Sequence, residues 1–179
     1  MQDYGKLAAL ASECGFMHCA PLDISTLEFM QDVRDMCNAD KCDKYNTSWS
    51  CPPACASLED MRARVMSYSG GLLVQTVGEL EDSYDWEGIM EAGTRHKENF
   101  VKLWDALEMC NASVYAMGAG VCRLCETCTY PNEACRFPDR MSASMEACGL
   151  FVSKVCTDNG LAYNYGKDRI AFTSCFLVK

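Results

Sequence analysis

No stretch of this chain approaches the ~18 consecutive apolar residues that a membrane span requires. The opening residues Met1-Gln2-Asp3-Tyr4 also lack the charged-then-apolar run of a secretory signal, so the expected compartment is the cytoplasm. Basic clusters are missing as well. With a formal net charge of −9 and a pI near 4.7, the chain offers a phosphate backbone little attraction, and nucleic acid is not an expected partner. Histidine is scarce, with only His18 and His96, and both stand away from the cysteine-dense segments. Gly70-Gly71 and Gly118-x-Gly120 lack nucleotide-binding spacing, and no nucleophile-plus-base pair of the hydrolase kind is present. Linkers rich in Pro, Gly or Ser, low-complexity tracts and fixed-period repeats are also absent, so residues 1–179 read as one domain.

What the chain has in excess is sulfur: fourteen cysteines and eleven methionines. In a reducing compartment disulfides are disfavoured, and a chain of 179 residues with 49% hydrophobic content can build a core without them. Metal binding is then the leading explanation. So many oxidisable side chains also point to an oxygen-poor, anaerobic host.

Periodicity gives a coarse architecture. Helices are expected over residues 3–14, from a Ser25 cap to about Met36, and from the Ser57-Leu58-Glu59-Asp60 capping box to Tyr68. A long helix should follow the acidic run Glu79–Glu87 and reach about Cys110, with Gly93 weakening its middle. Short helices are expected around Met145 and over Leu150–Asp158. Strands are expected at Phe16–Leu22, Leu72–Val77, Ala112–Met117 and a final segment in which Ile170, Phe172, Phe176 and Val178 share a face. The fold class is α/β or α+β: a single compact domain, with an approximately four-stranded mixed sheet and two cysteine-rich metal-binding loops.

The second loop, residues 121–140, contains Cys122-x2-Cys125-x2-Cys128 and, six residues later, Cys135. Two-residue gaps let successive thiolates curl around one inorganic centre, and three in a row with a distant fourth suit a [4Fe–4S] cluster. A structural zinc site more often draws its thiolates as separated pairs or mixes in histidine. Tyr130, Pro131, Phe137 and Pro138 are placed to exclude water, and Arg123 and Arg136 to offset cluster charge, although aromatics beside loops also serve ordinary packing.

The first loop holds Cys37, Cys42, Cys51 and Cys55, with Cys51-Pro52-Pro53 stiffening the backbone after a thiol. Cys55 is one candidate for a fourth ligand. Alternatively Cys135 crosses over to this site, which leaves one centre with three cysteines and an exchangeable iron position. Cys14, Cys19, Cys110, Cys148, Cys156 and Cys175 lack short-gap partners and read as small buried hydrophobes. His18 and His96 read as packed or surface histidines.

Several of these features occur together in one known family. Arg34-Asp-Met-Cys37, Cys42-x2-Tyr45, Cys51-Pro-Pro, Tyr68-x4-Leu73-Val74, Gly118-x-Gly-x-Cys122-x2-Cys125-x2-Cys128, Cys135-Arg-x-Pro138 and Ser144-Met-Glu-Ala-x-Gly149 resemble predicted metal-binding proteins, a domain of unknown function. The resemblance implies cysteine-ligated metal in anaerobic bacteria and archaea, with ligands matching Cys37, Cys42, Cys51, Cys122, Cys125, Cys128 and Cys135. Cys55 falls outside that pattern, which favours three thiols at one centre and four at the other.

The expected function is an iron–sulfur protein with one or two [4Fe–4S] clusters that exchanges electrons with a redox partner protein. The alternatives are an enzyme or accessory factor with an open iron site, and a zinc-stabilised interaction module. The acidic run Glu79–Glu87 is either a docking surface for a basic partner or a solvated loop. The oligomeric state is left open.

Overall fold

The computed structural model describes residues 3–39, 41–110 and 112–179, so Met1 and Gln2 of the opening stretch and Asp40 of the first cysteine loop lie outside the described residues. In chain order the elements are α1 (Tyr4–Glu13), β1 (His18–Leu22), α2 (Gln31–Asp35), α3 (Leu58–Met66), β2 (Gly71–Glu79), α4 (Trp86–Met109), β3 (Val114–Met117), α5 (Val152–Asp158) and β4 (Arg169–Val178). The four strands form one sheet in the order β1-β2-β4-β3.

Every strand pair is antiparallel, so the class is α+β and the sheet is not mixed. The impression of alternating α and β has a topological cause. Because β2 and β3 both run antiparallel to β4, they run parallel to each other, with α4 as their crossover and β4 inserted between them. This is a split β-α-β arrangement.

Strand alternation sends side chains to two apolar layers, one on each face. Leu72, Val74, Ala116, Phe176 and Val178 meet Ala11 of α1 and Leu103, Trp104 and Leu107 of α4. On the opposite face Leu73, Tyr115, Met117, Cys175 and Leu177 pack with Met61 and Val65 of α3, Val152 and Val155 of α5, and Met145 and Leu150. With both faces covered, β2 is buried along all but its last residue. Leu72 and Val74 therefore pack on one face while Leu73 packs on the other, which suits the consecutive apolar residues Leu72-Leu73-Val74.

The expected Ser57 cap forms and begins α3: its hydroxyl accepts the Asp60 amide at 3.1 Å and donates to the Asp60 carboxylate at 2.6 Å. The long helix also forms, and Gly93 does not break it. A Cβ there would stand 3.2 Å from Cζ of Phe172, so the missing side chain makes room for that ring. Two other expectations are corrected. The helix from Ser25 to Met36 is a 3₁₀ turn at Ile24–Thr26 followed, after an extended stretch, by α2. Asp23 takes the Ser25 amide and hydroxyl at 2.9 and 2.7 Å, which favours a local turn, and the Met30 amide is committed to the Gly149 carbonyl at 2.8 Å. The segment around Met145 is a series of turns that ends at Gly149, whose φ is +76°.

His96 is a core residue. Its Nδ1 lies 3.0 Å from the Thr76 hydroxyl and its Nε2 lies 2.7 Å from the Ser174 hydroxyl, with only 1% of the residue exposed. Burial, reinforced by the Lys97 charge, lowers its pKa to about 3, so the folded protein holds it neutral. The unfolded chain takes up this proton below its ordinary pKa of ~6.5. Folding stability linked to His96 is therefore complete above that pH and lost as the pH falls toward 3. Chemical denaturation at pH 7 and pH 5 should show a loss of about 2 kcal/mol that a His96→Gln variant lacks. Equal pH dependence of the two proteins would contradict the assignment.

Candidate metal-binding loops

Both cysteine loops are tied at their necks. Strand β3 ends at Met117, and the chain leaves at Gly118 and returns at Ser144, where a single parallel bridge closes the excursion. Its bonds are Gly118 amide to Ala143 carbonyl at 2.9 Å and Met145 amide to Gly118 carbonyl at 3.2 Å. The first loop is closed by Arg34. Its guanidinium donates to the carbonyls of Ala56 at 2.8 Å and Cys55 at 3.4 Å, and also to Ala147 at 3.1 Å just beyond the neck of the second loop. One cation thus fixes both ends of the first loop and anchors them to the second.

The two loops also grip each other further out. Ser48 and Ser50 are buried, with their hydroxyls 2.8 Å apart. The Ser50 hydroxyl accepts the Cys122 amide at 3.1 Å, the Trp49 indole donates to the Glu133 carbonyl at 3.0 Å, and the Tyr130 hydroxyl donates to the Asn46 side-chain oxygen. The rings of Trp49 and Tyr130 meet edge to face with centroids 4.9 Å apart. Residues 48–50 therefore form the floor beneath the second loop and end at Cys51 of the first.

Above this floor, Cys122, Cys125, Cys128 and Cys135 all line one cavity of about 560 Å³, together with Ser48, Trp49 and Ser50. All four are half-buried free thiols. The loop is braced internally by Thr129, whose hydroxyl donates to the Ala134 carbonyl at 3.0 Å, and by Arg136, which donates to the Thr127 carbonyl at 2.9 Å. Burial acts to raise the Cys128 pKa. The Trp49 and Tyr130 amides, the Ser48 hydroxyl and the Arg136 charge outweigh it, and the thiol is held below its ordinary value. Cys128 is thus surrounded by groups that stabilise a thiolate.

The first loop has the opposite character. Cys37 is raised to about 11, first by burial and then by the charges of Glu146, Cys42, Cys51 and Cys55. Cys51 is raised by burial, against the hydroxyls of Ser50 and Ser48 and with repulsion from Cys42 and Cys55. Cys55 is raised by burial in spite of Arg34, which reaches its sulfur at 3.5 Å. Sulfurs that repel one another as thiolates share a neighbourhood, and a cation is what would allow them to ionise together. Among the described residues, no group of three or more His, Cys, Asp or Glu side chains converges closely enough for a single ion.

The sequence profile of the family described as predicted metal-binding protein (DUF2284) matches residues 20–178. The chain belongs to that family. No match was found among curated proteins or solved structures. The two cysteine loops of this predicted metal-binding protein fall within the matched span. Among the described residues no helix is long and apolar enough to cross a membrane.

Of the cysteines set aside as core filler, Cys148, Cys156 and Cys175 are buried, Cys14 and Cys19 are half-buried, and Cys110 is exposed just after α4. Cys148 lies close enough to Cys55 to feel its charge. It remains in the core, with a pKa pushed up to about 12 by burial despite a hydrogen bond from Tyr115. Sequence spacing missed the seryl floor. Its only signal is Ser48-Trp49-Ser50 immediately before Cys51, a polar-aromatic-polar triplet that by itself resembles any surface turn.

Replacing Ser50 by Ala removes the acceptor of the partly buried Cys122 amide and should cost about 1 kcal/mol in denaturant unfolding. Hydrogen exchange at that amide should accelerate. Unchanged exchange would show that Ser50 does not hold the two loops together.

Proposed function

We propose that this protein is an iron–sulfur protein that exchanges single electrons with a redox partner protein. A [4Fe–4S] cluster is held by Cys122, Cys125, Cys128 and Cys135, and a second centre is held by the first loop. The observation that carries the reading is the placement of the four second-loop thiols around one cavity, with amide donors and Arg136 directed at Cys128. Amides and a guanidinium beside a ligating sulfur offset negative charge and raise the reduction potential. When bound, such a cluster supplies one-electron redox chemistry. The chain's contribution is to hold the thiols around one cavity on a braced loop and to separate that cavity from Cys51 of the first loop by only the floor of residues 48–50.

A specific feature favours a three-cysteine centre in the first loop. Cys55 is 4% exposed and belongs to the apolar core, whereas Cys37 and Cys51 are half-buried and Cys42 is exposed. Three thiols reach solvent and the fourth is directed into packing under Arg34. Such a centre has an iron position open to a small ligand, which makes an enzyme or accessory factor the second reading.

Anaerobic purification followed by metal and sulfide analysis, with optical and paramagnetic spectra, tests both readings. The expected result is iron with acid-labile sulfide and broad visible absorption. Cys125→Ser should lower iron content and stability together. A folded protein that contains zinc alone, or no metal, would refute the proposal. Four-cysteine ligation at every cluster would remove the second reading.

A further inference from the structure

A second pocket, of about 440 Å³, lies beside the cysteine cavity, between α4 and the segment that carries the chain from β3 into the second loop. Residues 121–124 line both spaces, so the backbone around Cys122 is their common wall. The apolar side is Phe100, Val101 and Trp104 of α4, and the opposite side is the backbone of Gly118-Ala119-Gly120. The volume and the mostly apolar walls are those of a small-molecule site.

Its charge runs against that of the chain. The whole protein has 25 acidic and 16 basic residues, yet the pocket is lined by Lys97, Lys102, Arg123 and Arg140 against the single carboxylate of Glu98. Arg140 is already engaged with Asp105 at 2.6 Å and, through Nε, with Glu108 at 3.8 Å. Lys97 and Arg123 have no carboxylate partner among the described residues. They lie close enough that, after burial, the Arg123 charge is what lowers the Lys97 pKa. Two like charges on the walls of one mostly apolar pocket favour an anion there, which relieves their mutual repulsion.

We infer that this pocket binds a small organic carboxylate, its apolar body against Phe100, Val101 and Trp104 and its carboxylate between Lys97 and Arg123, beside the wall that carries Cys122. The assignment rests on the pocket's own walls and goes beyond the cluster reading. A ligand seated there lies next to a proposed cluster thiolate, where its binding is sensed by the metal centre.

Isothermal titration of the anaerobically purified full-length protein with 3-phenylpropionate, and with 3-phenylpropanamide as its neutral counterpart, tests the inference. Saturable binding of the carboxylate is expected, at least tenfold tighter than the amide. Lys97→Gln should weaken it at least tenfold and Lys97→Arg should restore it, with iron content and visible spectrum unchanged in both variants. Lys97 is a half-buried helix residue outside the cysteine loops, so these substitutions leave folding and metal loading intact. Failure of the carboxylate to saturate, equal affinity for acid and amide, or full affinity in Lys97→Gln would overturn the assignment. Carboxylate binding by a protein that proves to contain zinc would refute the cluster reading and leave this pocket standing.

Discussion

Ser50 is 1% exposed, and its hydroxyl accepts the amide of Cys122, the first cysteine of the other loop, at 3.1 Å. A buried hydroxyl and a partly buried amide that satisfy each other are costly to separate, because each would be left unpaired. That bond, between residues 72 apart in sequence, joins with the Trp49–Glu133 and Tyr130–Asn46 contacts around it to turn the two loops into one structure. The sheet sets where the loops begin and end. The seryl floor determines how they face each other, and the thiols are arranged on that framework.

The arrangement concentrates groups that an acidic chain would otherwise keep apart. Arg34 serves three carbonyls and the sulfur of Cys55 with no carboxylate partner among the described residues, and Arg136 braces the second loop while lending its charge to Cys128. Cys37 and Cys51 are raised chiefly by burial and further by the neighbouring thiols, so positive charge delivered among them would favour their ionisation. The second loop is already biased toward thiolate at Cys128. The two loops therefore differ in electrostatic character: Cys128 of the second is held toward the thiolate, while burial holds Cys37 and Cys51 of the first toward the thiol.

Much of this was legible from residues alone, and the parts that were not share a cause. The Ser57–Asp60 cap, the long helix before Cys110 and the alternating last strand are local patterns, and local patterns survive folding when nothing distant competes. The helix expected over Ser25–Met36 failed because Asp23 and the Gly149 carbonyl claimed its backbone groups, and Gly149 is far away in sequence. Strand order was unreadable for the same reason: β4 inserts between β2 and β3 from the far end of the chain. At the candidate site, the short gaps of Cys122, Cys125 and Cys128 are a local pattern, and the fold brings all three to one cavity. The pairing of Ser50 with Cys122, and the diversion of Cys55 into the core, depend on contacts that spacing does not encode.

The most direct measurement is anomalous X-ray scattering from crystals grown without oxygen, recorded on both sides of the iron and zinc absorption edges. The account predicts an iron signal with a multi-atom, cluster-shaped envelope within the cavity bounded by Cys122, Cys125, Cys128 and Cys135. A single zinc peak there, or ordered thiols around no anomalous scatterer, would contradict it.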